Sequence, residues 1–351
     1  MAAKKKTQPE LIKNENEGQP LTAKTGTGSF VFMDSVKDVL SIALGNRKNV
    51  ILFGKGGYGK SEYTLEFLRE QGIEPFVQTM GSGINTDRLF GGTDIKKFEE
   101  SGKIEDLVEN SFMNHEYVIF EELFDAPDFI LEQLKDILSS KTFRNGGQVF
   151  PLKTKTIICC TNKTREEFSK NNSLKALMER FPLEYEVKWT DHNKLTYEKL
   201  LNQKFGHADP MLTYVLEEFA KGGHIISPRI AITTQELIAT CGVGCLEFIA
   251  DFNAQKALLK TSIQKFESIF QIDRLVNEMQ EIVDKYNATD RDTDAGINAA
   301  AEFNRELSNK LSKLKAIKAD DSLVAKTTSA QTKFDKIYND NKKELSLLVE
   351  E

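Results

Sequence analysis

One eight-residue stretch constrains this chain more than any other. Gly54-Lys55-Gly56-Gly57-Tyr58-Gly59-Lys60-Ser61 follows directly on the apolar run Asn49-Val50-Ile51-Leu52-Phe53. The run reads as a short strand buried on both faces, and the residues after the loop read as a helix. A glycine-rich turn between strand and helix aims several backbone N–H groups at one spot, where the helix N-terminus adds positive potential. Such a turn cradles a polyphosphate. The GxxxxGK[ST] spacing adds Lys60 as a point charge for the β- and γ-phosphates and the Ser61 hydroxyl as a Mg²⁺ ligand. Gly54, Gly56, Gly57, Tyr58, Gly59, Lys60, Ser61 and Glu62 are therefore the expected nucleotide contacts.

Four more β-prone runs follow: PFVQTM, HEYVIF, KTIICCT and EYEVKW, the last from Glu184 to Trp189. Helical patterns separate them, notably FDAPDFILEQLKDILSS. This alternation predicts an α/β fold with a parallel sheet flanked by helices. The helix before the first strand, DSVKDVLSIALGN, is expected to be capped by Asp34 or Ser35. Asn145-Gly146-Gly147 signals a hairpin ahead of the fourth run. The YVIF run ends in Glu121-Glu122, where strand C-termini face the ligand crevice of such folds. Glu122 is expected to activate an attacking water, and Glu121 to hold Mg²⁺ through water.

Composition narrows the classes. With 351 residues, 47 basic against 53 acidic side chains and a net charge of −6, the chain lacks the concentrated positive charge of a dedicated nucleic-acid binder. No run of about 18 apolar residues suggests a membrane span, and MAAKKKTQPE has no apolar stretch behind its lysines to make a secretory signal. A cytoplasmic location is expected, with Cys159, Cys160, Cys241 and Cys245 as buried, reduced thiols. Without a CxxC pair, and with His115, His192, His207 and His224 scattered, a zinc site is not expected.

The order of motifs resembles the AAA+ ATPases, and more closely their MoxR-like branch, over roughly residues 30 to 250. GTDIKKFEESGKIEDLV resembles the family's inserted segment and VIFEELFDAPDFILEQLKDIL its Walker B strand and following helix. The resemblance places Asn162 at sensor 1, Arg180 in ERF as an arginine finger for the adjoining subunit's γ-phosphate, and Arg229 in Ser227-Pro228-Arg229 as the lid arginine. It implies ATP hydrolysis with Mg²⁺ in a homo-oligomeric ring, most often a hexamer, remodelling a protein client. A separate partner with a von Willebrand factor A domain is implied too. Two departures stand out: Glu121 occupies the usual aspartate position, and Lys55-Gly56 replaces a common proline pair. A GTP-driven motor like the restriction subunit McrB is the enzyme alternative. Thr161-Asn162-Lys163 imitates part of a guanine-reading motif, but Arg165 stands where its aspartate should be. A nucleotide-gated scaffold with little hydrolysis is the alternative from another class.

Beyond Pro228, the last proline, only Gly242, Gly244 and Gly296 interrupt a helix-prone chain. Ile269, Ile272, Val276, Met279, Val283 and Tyr286 form a helical seam, followed by Phe303, Leu307, Leu311, Leu314 and Ile317 across a polar break. This pairing predicts an antiparallel helical hairpin, or a bundle with the third apolar group around Phe334, Ile337 and Tyr338. Asp290, Asp292 and Asp294 imitate a calcium loop, but its glycine and terminal glutamate positions hold Ala295 and Ala301. The expected division is a disordered arm over 1–28, an α/β core over 29–190, a helical lid over 191–251 and a helical extension over 252–351.

Overall fold

The structure, a computed structural model, describes residues 25–102, 104–145, 147–169, 172–189, 193–317 and 321–350. Most of the expected arm, together with Gly146 and His192, lies outside them. The strands in chain order are β1 Val50–Phe53, β2 Phe76–Thr79, β3 Gly92–Thr93, β4 Asp106–Leu107, β5 Tyr117–Glu121, β6 Thr142–Asn145, β7 Gln148–Pro151, β8 Thr156–Thr161 and β9 Leu183–Glu186.

The five expected runs form one parallel sheet in the order β2-β5-β8-β1-β9. Every residue of β1 and β8 is buried, which explains why both read as continuous apolar runs rather than alternating ones. Ile51, Phe53, Phe120 and Cys159 pack on one face, with the helix Asp128–Ser140. Leu52, Ile119, Ile158 and Cys160 pack on the other, with the helices Asp34–Asn46 and Lys60–Glu70. The adjacent cysteines thus point to opposite faces. Asn49 ties the lower edge together: its amide donates to Arg180 O, and its carbonyl accepts from Ile157 N, both at 2.9 Å. The inserted segment forms an antiparallel β3/β4 pair around the helix Ile95–Ser101, and the Asn-Gly-Gly signal corresponds to the β6/β7 hairpin.

Three helices follow the sheet, and each start is written in sequence. Asn193, Asp209 and Ser227 accept from backbone N–H groups of Lys194–Phe205, Pro210–Lys221 and Pro228–Cys241 respectively. Prolines 210 and 228 sit in first turns, where a missing N–H breaks no bond. Gln235, 1% exposed, donates to His207 O and accepts from Asp209 N, so its burial leaves neither end unpaired.

Four expectations change. The helix Asp34–Asn46 is preceded by Met33 without a side-chain cap, because Asp34 already lies inside the first turn. Strand β9 ends at Glu186; Val187 N still reaches Phe53 O at 2.8 Å, but its carbonyl turns toward Gly54. Thr27 and Gly28, expected at the end of the arm, join Ser29 in a short turn, where Thr27 donates from N and Oγ1 to Glu70 at 2.7 and 2.6 Å. Cys241 is exposed and Cys245 half-buried, because the helix ends beside them at Gly242.

The chain divides into two compact units, Met1–Ile249 and Ala250–Glu351. The second unit is built on the helices Lys256–Ala288, Asp294–Ala316 and Asp321–Glu350. Its core takes Ile272, Met279 and Val283 from the first, Leu307, Leu311 and Leu314 from the second, and Leu323 and Phe334 from the third. Of the expected hairpin or bundle, the chain forms the bundle, a three-helix unit in which Phe334 and its neighbours fill the seam that two helices would leave open. In the acidic turn, a Cβ on Gly296 would stand 1.7 Å from Asp290 O. Glycine is required there by close backbone packing, with no need of a cation.

Candidate functional site

The phosphate-type loop owes its shape to three glycines. Gly54, Gly57 and Gly59 adopt φ of +145°, +80° and +79°, which L side chains rarely take. An added Cβ would meet Val187 O at 2.6 Å from Gly54 and Ser227 Oγ at 2.9 Å from Gly57. The helix begins at Lys60, whose buried ammonium donates to Gly54 O at 2.6 Å and Lys55 O at 3.0 Å. Burial lowers the Lys60 pKa; Cys160 and Glu122 act against that, and the Arg229 charge acts with it. Two backbone carbonyls thus hold the Lys60 ammonium at the centre of the loop.

The two strand-end acids are drawn to opposite neighbours. Glu121 closes β5, and its Oε2 accepts from Thr79 Oγ1 on β2 at 2.6 Å. Glu122 leaves the strand at φ +51°, a left-handed conformation that costs about 1–2 kcal/mol for a residue with a Cβ. There its N–H reaches Cys160 O at 2.8 Å, while Oε2 accepts from Asn162 N at 3.1 Å and Thr161 Oγ1 at 3.3 Å. Asn162, placed at the end of β8, thus touches Glu122 through its backbone.

Ser61, Cys160 and Glu121 share the face of the sheet that carries the helix Lys60–Glu70. Thr64 Oγ1 lies 4.0 Å from the Cys160 sulfur, and burial pushes that thiol up to about 11, so it stays protonated. What remains for a cation is a hydroxyl and a carboxylate, both hard oxygen donors. Among the described residues, no group of three or more His, Cys, Asp or Glu side chains could hold a metal alone. That donor set fits Mg²⁺, which keeps waters and completes its shell with phosphate oxygens. Ser61 and Glu121 would hold it, where it would neutralise charge on the phosphates.

A cavity of about 260 Å³ opens beside the loop, lined among others by Phe30, Val31, Tyr58, Trp189, Arg229 and Ile232. Glu62 lines it too. The sequence reading missed Phe30, Val31, Trp189 and Ile232. Only the aromatic pair in Ser29-Phe30-Val31-Phe32 signalled anything, because four distant segments meet there only in three dimensions. Arg229 N donates to Gly57 O at 3.2 Å, so the third lid helix begins against the loop. Arg180 is directed elsewhere: Nε and Nη2 donate to Ser139 Oγ at 3.1 and 3.0 Å, and Nη1 to Ala176 O at 2.9 Å. The fold thus brings Lys60, Ser61, Glu121, Glu122, Asn162 and Arg229 to one end of the sheet, without Arg180.

The family model described as the MoxR domain in the MoxR-vWA-beta-propeller ternary systems matches residues 21–210, more than half of the chain. The chain belongs to this MoxR family. Its parallel sheet, glycine-rich loop and helical lid are the architecture of an AAA+ ATPase. Solved structures similar to this MoxR chain include NtrX from Brucella abortus in complex with ADP, at 14% identity and a TM-score of 0.43, covering 59% of this chain and 48% of that one. The complex between subunits BchI and BchD of magnesium chelatase matches at 20% identity and a TM-score of 0.37, covering 63% and 75%. The MoxR chain thus spans about half the length of the NtrX chain it matches. Among its described residues, no helix is long and apolar enough to cross a membrane.

Proposed function

We propose that this MoxR chain hydrolyses ATP with Mg²⁺ and uses the cycle to remodel a protein client. The observation that carries the reading is the meeting of the Gly54–Ser61 loop with Glu122 and with the start of the Arg229 helix. Lys60 and the loop amides bind the phosphates, Glu122 takes the proton of the attacking water, and Asn162 orients it. Arg229 joins the lid to the loop, so a change in phosphate charge alters what that helix is held by. The base belongs in the cavity lined by Phe30, Val31 and Ile232. Asn162 and Lys163 are not among its lining residues; Lys163 donates to Phe124 O and pairs with Asp125, which favours ATP over the guanine reading.

Arg180 acts in a neighbouring copy after leaving Ser139, which makes the working form a homo-oligomeric ring, a hexamer by family pattern. The family is named for systems that include a vWA protein and a β-propeller, and a separate vWA-domain protein is the proposed partner. The decisive experiment measures phosphate release and nucleotide binding for the native chain, Lys60→Ala and Glu122→Gln. Lys60→Ala should lose binding; Glu122→Gln should bind and trap ATP without turnover. Undiminished ATP binding by Lys60→Ala sinks the loop assignment. Light scattering of Glu122→Gln with ATP and Mg²⁺ should show a mass several times that of one chain. A persistent monomer would move the nucleotide-gated scaffold ahead of the motor.

A further inference from the structure

We infer that Thr79 is a positioning residue for Glu121, and that the two work as a pair; the inference rests on the nucleotide reading above. Thr79 and Glu121 are directly registered partners on the parallel strands β2 and β5, and Glu121 is in turn registered with Cys160 on β8. The three residues therefore lie in one row across the strand ends, on one face. Ser61 lies in the first turn of the helix that packs over the Cys160 end of that row.

A glutamate here has one more rotatable bond than an aspartate, so its carboxylate is less well placed by the backbone alone. The Thr79 hydroxyl removes that freedom. It donates at 2.6 Å, the short range of a hydroxyl bonded to a charged carboxylate, and it has only one proton to give. Oε2 is thereby held toward β2, and Oε1 is left to face a cation. An aspartate would draw the carboxylate about 1.5 Å back toward β5, out of the position that this bond fixes. Glu122 is held by a different strand, through Thr161 and Asn162, so the Thr79 bond sets one acid without constraining the other. Thr79 is exposed, and a valine there keeps its shape while removing the donor.

The test titrates Mg²⁺ against binding of a fluorescent ATP analogue by the full chain. It compares the native protein, Thr79→Val, Thr79→Ser, Glu121→Asp and the Thr79→Val/Glu121→Asp double variant. Thr79→Val should need about three- to tenfold more Mg²⁺ for the same nucleotide affinity, the loss expected for one charge-assisted bond. Its nucleotide binding in EDTA and its melting temperature should be unchanged. Thr79→Ser should restore the native titration. In the Glu121→Asp background, Thr79→Val should have no further effect. A Thr79→Val titration matching the native one overturns the pairing, as does an equal effect in the Asp background. Native protein that binds no nucleotide would overturn the nucleotide reading itself, and the pairing with it, whereas native binding that ignores Mg²⁺ would overturn the pairing alone.

Discussion

The two units of this chain use their backbone in opposite ways. In residues 25–249, ten glycines and four other residues adopt positive φ; in the described part of the helical unit, none does. The helical unit obeys local rules throughout, with a periodic stripe, a Thr293 cap and long uninterrupted helices. The α/β unit breaks those rules at Gly54, Gly57, Gly59 and Glu122, all at the end of the sheet where the acids and the loop converge. Strain held by surrounding packing clusters at binding sites, and four such residues meet where the nucleotide chemistry is proposed. The contrast supports placing that proposed chemistry in the first unit.

The sharpest way to break that comparison is at the loop. Gly54→Ala adds a methyl 2.6 Å from a backbone carbonyl at φ +145° and should cost about 3 kcal/mol or more, so much of the protein should melt at a lower temperature in calorimetry. A native-like melt would show the strain to be unimportant. Leu307→Ala, at a fully buried position of the helical unit, should cost about 2–5 kcal/mol there. Nucleotide affinity should stay native if the two units divide function as proposed; a tenfold loss would join them.

Smaller effects sharpen the same contrast. Lys141, at φ +57° after the helix Asp128–Ser140, is strained but takes no part in the site. Lys141→Gly should therefore stabilise by about 0.5–1 kcal/mol without changing turnover, unlike any change at Glu122. In the helical unit, Lys310 bonded to Glu278 holds that carboxyl below its usual value. The pair's contribution is thus present above the ordinary carboxylate range and is lost as pH falls through the lowered Glu278 value. Lys310→Met should lower stability at neutral pH by less than about 1 kcal/mol, the group being partly exposed, and the difference should vanish in acid. Urea melts of native and variant protein at both pH values would show it, and a difference that survives acid would remove the ion pair as its cause.

Legibility followed the same division. The five core strands, the hairpin and the helix starts at Asn193, Asp209 and Ser227 carry signals within a few residues of themselves. The Gly54–Ser61 turn between strand and helix was readable because its residues are contiguous, and Glu121-Glu122 was readable as a strand end because the apolar run stops there. The turn at Gly296 was readable only as a non-calcium loop; its need for glycine comes from a carbonyl six residues away. The cavity beside Tyr58 was not readable, since Phe30, Trp189 and Ile232 reach it from separate elements. Nor was the stowing of Arg180 on Ser139, which depends on a helix packing beside the ERF segment.

By itself the sequence determined the elements, because apolar periodicity, caps and turn glycines act over one or two turns of chain. It also determined the loop and the presence of two adjacent acids. Only the tertiary structure decided which hydrogen-bond donors those acids meet. Parallel pairing of β5 between β2 and β8 puts Thr79 on one side of Glu121 and the Thr161–Asn162 corner beside Glu122. Two like charges adjacent in sequence are thus drawn apart by hydrogen-bond donors on different strands, and which donors those are is a matter of strand order, not of local chain.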